Sequence, residues 1–80
     1  MRIKSLEHRR RGVLPVIRFG PVPGLRLRDV VLRANECLRE AGIKPVGVVV
    51  SDEPHMMISP RIYARSVAVL TAAGFKFTVE

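Results

Sequence analysis

The chain has 80 residues, of which 48% are hydrophobic and 26% charged. That length allows one domain and no second core. The composition excludes a fully disordered chain, and no apolar run approaches the roughly 20 residues that span a bilayer. A single cysteine, Cys37, excludes an internal disulfide and a multi-cysteine zinc site. The charged start lacks the apolar stretch of a secretory signal, so a cytoplasmic protein is expected.

The formal net charge is +7, and it is unevenly spread. Residues 1–12 carry Arg2, Lys4, Arg9, Arg10 and Arg11 against Glu7 alone, a net of +4. This basic N-terminal arm reads either as a site for nucleic acid or another polyanion, or as a solvated tail. It has no aromatic residue to stack on bases. If it binds a polyanion, neutralising Arg9, Arg10 and Arg11 lowers the salt slope of binding by up to about three units. Folding should barely change.

The domain proper spans residues 13–80. Val13 to Phe19 is a β-branched run and reads as a first strand, with Leu14, Val16 and Arg18 on one face and Ile17 and Phe19 on the other. Pro15 cannot donate to a ladder and must lie at the strand start or an unpaired position. Gly20 to Gly24 (GPVPG) is a loop. Leu25 to Ala41 reads as a helix, because Leu27, Val30, Val31, Ala34, Leu38 and Ala41 recur at helical spacing. Asp29 with Arg33 and Glu36 with Arg39 are placed to pair on its exposed side. Gly42 stands where a C-terminal cap belongs.

Lys44 to Ser51 is a valine-rich second strand, interrupted by Gly47, a sign of a bulge or a close backbone approach. Asp52, Glu53 and Pro54 turn the chain, and His55 to Ser59 returns as a third strand. Ser59-Pro60 is a helix start, a hydroxyl followed by proline at the first helical position. Arg61 to Ala73 follows, with Tyr63, Ser66, Val67 and Leu70 on one face, and Gly74 ends it. Phe75, Phe77 and Val79 alternate with Lys76, Thr78 and Glu80 as a fourth strand.

The order β-α-β-β-α-β predicts an α+β fold, the ferredoxin-like two-layer sandwich: a four-stranded antiparallel sheet with two helices on one face. The second and fourth strands then lie at the edges. The second has no charge between Lys44 and Asp52. Such an edge invites pairing, so a homodimer with an eight-stranded sheet is expected.

No serine, cysteine or lysine has an evident base partner, so no catalytic residue is assigned and the chain is not read as an enzyme. Asp52, Glu53 and His55 lie close together, but the other histidine is His8 on the arm, too few ligands for a metal site. Neither a metal nor a cofactor is expected. The GPVPG segment lacks the lysine and hydroxyl of a P-loop.

Three segments, PGLRLRDVVLRANECLREAGI, SDEPHMMIS and SPRIYARSVAVLTAAGFKFTVE, together resemble the ACT domain family of regulatory modules. The resemblance rests on the Pro-Gly turn into the first helix, the EAGI step, a short central hairpin and the L-x-x-A-G-F ending. With the first strand it covers residues 13–80. The resemblance implies a non-catalytic module that binds an amino acid or small metabolite at a dimer interface. It places the ligand between Pro23, Gly24, Leu25 and Arg26 of one copy and Gly47, Val48 and Val49 of its neighbour. Val22 stands where the family usually has a polar or acidic residue. That leaves no side-chain acceptor for an ammonium group, so a carboxylate or phosphate is expected rather than an ordinary amino acid.

Overall fold

The computed structural model describes residues 14–80. They form an α+β domain with a four-stranded antiparallel sheet and two helices. The strands are β1 (Val16–Phe19), β2 (Gly47–Val49), β3 (His55–Met57) and β4 (Phe77–Val79). Helix α1 (Leu27–Glu40) joins β1 to β2, and α2 (Tyr63–Ala72) joins β3 to β4. The spatial order is β2-β3-β1-β4, so β2 and β4 are the edges. Each helical connection skips one strand, which interleaves the two halves of the chain.

The strands are shorter than the apolar runs suggest. Val13 lies outside the described residues. Leu14 and Pro15 precede β1, and the Pro15 carbonyl accepts from the Ile58 N–H at 3.0 Å. Proline thus contributes its acceptor where no donor is needed. In the second strand, Val46 donates to the Met57 carbonyl at 2.9 Å, while Gly47 is the register partner of Met57. Two residues face one, the pattern of a β-bulge, and regular pairing begins only after it. Phe75 is not in β4, because its N–H closes the end of α2 instead.

Both helices stop by the same device. After α1, the Gly42 N–H donates to the Arg39 carbonyl at 3.0 Å and the Ile43 N–H to the Leu38 carbonyl at 2.8 Å. After α2, Gly74 donates to Thr71 at 3.0 Å and Phe75 to Leu70 at 3.1 Å. These are Schellman motifs, and their glycines have φ of 81° and 90°, the left-handed region. The sequence repeats Leu-x-x-Ala-Gly followed by an apolar residue at both places. The apolar residue returns the chain to the core, where Ile43 packs with Leu38. Arg65 of α2 also donates to the Ala41 carbonyl at 2.8 Å, a cation at the negative end of α1.

Helix α1 begins at Leu27 rather than Leu25, because the Leu25 N–H is used by the preceding turn. The second helix opens with a tighter turn over Pro60–Ile62, whose Ser59 Oγ accepts from the Arg61 N–H at 3.3 Å. The core joins Ile17 and Phe19 of β1 and Met56 of β3 to Val30, Val31, Ala34 and Leu38 of α1 and Leu70 of α2. One face of the sheet and both helices therefore share a single core. Ser66 is fully buried and its Oγ donates to the Ile62 carbonyl at 2.8 Å. Val79, expected on the buried face, is 38% exposed because it sits on the edge strand.

The opposite face of the sheet carries Val16, Arg18, Gly47, Val49, His55, Met57 and Thr78, by the alternation of the paired strands. Among the described residues no helix packs there.

Candidate functional site

The loop after β1 is built on Val22-Pro23-Gly24-Leu25. The Leu25 N–H donates to the Val22 carbonyl at 3.1 Å, and Gly24 has φ of 85°. Proline at the second position and a positive φ at the third make a type II turn. Pro23 and Gly24 point into solvent, whereas Leu25 packs on the core. Val22 is 39% exposed, so it does not seal the loop.

Arg26 occupies the N-cap of α1 without a side-chain cap, and its carbonyl accepts from the N–H groups of Asp29 and Val30. A Cβ at Gly24 would meet nothing within 4 Å. The cost of Gly24→Ala is therefore backbone strain alone, about 1–2 kcal/mol for a left-handed residue. Urea unfolding measures it; a loss below a few tenths of a kcal/mol would show that the turn relaxes to another type.

Gly47, Val48 and Val49 lie on edge strand β2 and are half-buried. Val48 leans on the core. Gly47 has no open space above it, since an added Cβ would lie 2.6 Å from Cε of Met57. The close approach to Gly47 is thus made by a side chain of the same sheet. Within one chain, β3 separates β2 from β1, two strand spacings or about 10 Å. The Pro23–Arg26 turn and β2 are consequently not joined in one pocket.

At the loop end of β1 lies an open groove of about 400 Å³, lined by Arg18, Phe19, Leu27, Asp52, Glu53, Pro54 and Glu80. Arg18 donates from Nη1 to Glu53 at 3.3 Å and from Nε to Glu80 at 2.9 Å. Both carboxylates are largely exposed, so each pair contributes at most about 1 kcal/mol. These are the ion pairs among the described residues; the expected Asp29–Arg33 and Glu36–Arg39 pairs are not formed. Arg18 reaches partners 35 and 62 positions away, which no local pattern discloses.

Asp52 adopts φ of 48°, a conformation that aspartate tolerates in tight turns. His55 Nδ1 lies 2.7 Å from the Glu53 carbonyl. The carbonyl can only accept, so Nδ1 is the donor in this contact. Asp52, Glu53 and His55 thus serve the hairpin turn, and no group of three metal-ligating side chains occurs among the described residues. A second shallow groove of about 480 Å³ runs along α1 beside Leu32 and Asn35. Cys37 is free and partly buried beside the apolar stripe.

Arg2, Lys4, Arg9, Arg10 and Arg11, the expected polyanion contacts, lie outside the described residues. No helix among the described residues is long and apolar enough to cross a membrane. No family model matches the chain, and no curated protein or solved structure matches it.

Proposed function

We propose that the chain is a ferredoxin-like, ACT-like regulatory module that dimerises through β2 and binds a small carboxylate or phosphate metabolite at the junction. The observation that carries this reading is the edge position of β2, which among the described residues pairs on one side only. Val46 beside it is 57% exposed, and no charged residue interrupts residues 45–51. An unprotected apolar edge favours strand addition. The interleaved order β2-β3-β1-β4 agrees with the ferredoxin-like arrangement. The other edge is less suited to pairing, because Lys76 and Glu80 flank β4.

The resemblance to ACT domains implies a ligand between the Pro23-Gly24 turn of one copy and Val48 and Val49 of the other. The turn supplies backbone and Arg26 rather than a side-chain acceptor, which favours an anion over a zwitterion. The module performs no chemistry; ligand binding shifts an association or conformational equilibrium.

Two measurements test the reading. Sedimentation velocity should show a dimer at micromolar concentration. Thermal unfolding with inorganic phosphate, small carboxylates and amino acids should show a melting temperature that rises with anion concentration relative to its Kd. A monomer at high micromolar concentration removes the interface. A dimer unmoved by every compound keeps the interface and removes the ligand.

A further inference from the structure

The adjacent residues Met56 and Met57 have opposite surroundings. Met56 is fully buried in the core, and Met57 is half-buried on the sheet face that no described helix covers. The Met57 methyl fills the space above Gly47, where even a Cβ would stand only 2.6 Å away. The Met57 carbonyl holds the bulge through the Val46 N–H. We propose that Met57 is a peroxide-sensitive modification site whose oxidation loosens strand β2.

The co-reactant is a hydroperoxide. A lone pair on the thioether sulfur attacks the terminal peroxide oxygen, the S–O bond forms and the O–O bond breaks. Water leaves when the oxidant is hydrogen peroxide. The sulfide is oxidised by two electrons and the peroxide is reduced by two. This step needs solvent access, which Met57 has and Met56 lacks. Susceptibility follows exposure, and the product is a polar sulfoxide in place of a flexible apolar side chain.

The packing gives the consequence. The sulfoxide oxygen is added one bond from the methyl that already fills the space over Gly47. The side chain must then move off Gly47. Strand β2 is three residues long and, among the described residues, pairs only with β3. Losing the cover over the bulge weakens this short edge strand and leaves the helical core intact. The inference does not depend on self-association or on a ligand.

The experiment treats the folded full-length chain with hydrogen peroxide and maps each methionine by peptide mass spectrometry over time. Met57 sulfoxide should form at least tenfold faster than Met56 sulfoxide. Amide exchange at Val46 to Val49 should then accelerate at least tenfold, with exchange in the centre of α1 unchanged. The melting temperature should fall by several degrees and recover with a methionine sulfoxide reductase and a dithiol. The Met57→Leu variant, similar in volume, should keep its melting temperature through the same treatment. Equal oxidation rates at Met56 and Met57 would overturn the assignment. So would Met57 sulfoxide without faster exchange in β2, or an equal loss of stability in Met57→Leu.

Discussion

Leu38→Ala is expected to lower the stability of the domain by about 3–4 kcal/mol, within the range for fully buried leucines. Leu38 is 0% exposed and belongs to the core shared by both layers. Its carbonyl also receives the Ile43 N–H that ends α1. Truncation removes the side chain that packs against Ile43 and leaves a cavity where α1 meets the sheet. The backbone bond survives, so the loss comes from packing and not from capping. A domain of this size is held by only about 4–12 kcal/mol at typical stabilities per residue. The variant should therefore unfold at a much lower urea concentration with an unchanged m-value. Leu32→Ala, on the same helix at 41% exposure, should cost less than about 0.5 kcal/mol. Similar costs at the two positions would mean that α1 does not pack by this face.

The paired substitution Val46→Lys and Val49→Lys is expected to weaken self-association at least about tenfold, or about 1.4 kcal/mol. Val46 directly precedes β2 and Val49 ends it, at an edge that pairs with β3 alone among the described residues, and Val46 is already 57% exposed. Lysine on an edge strand opposes strand addition, because two copies would bring like charges together during pairing. Folding should be little affected, since neither residue belongs to the buried core. Sedimentation equilibrium of both proteins over a range of concentrations measures the change. An unaltered dimer would move the interface elsewhere, with β4 as the alternative edge.

The absence of any matching family leaves the ACT resemblance resting on its own residues. Of those, the EAGI and L-x-x-A-G-F pieces are now explained structurally. Both are helix ends closed by a left-handed glycine, a solution open to any domain in which a helix turns back onto a sheet. The Pro23-Gly24 turn is the piece with no such local duty in the core. It is exposed, and it carries the regulatory reading together with the edge of β2.

What the sequence determined by itself is what short backbone rings decide. The stops at Gly42 and Gly74, the start at Ser59-Pro60 and the turn at Pro23-Gly24 each depend on hydrogen bonds or dihedrals within a few residues. The element order follows from them, and the apolar stripes of the helices select the faces that become the core. Tertiary structure alone decided how much of each valine-rich run becomes strand. Pairing needs a partner backbone in register, and the bulge at Val46 and Gly47 delays that register in β2. It also decided that Arg18 meets Glu53 and Glu80 rather than solvent, and that Met57 covers Gly47. These contacts join residues far apart in the chain, on different strands or at their ends, and their geometry exists only once the sheet has closed. The turn and the second strand remain apart within one chain for the same reason: β3 lies between β2 and β1.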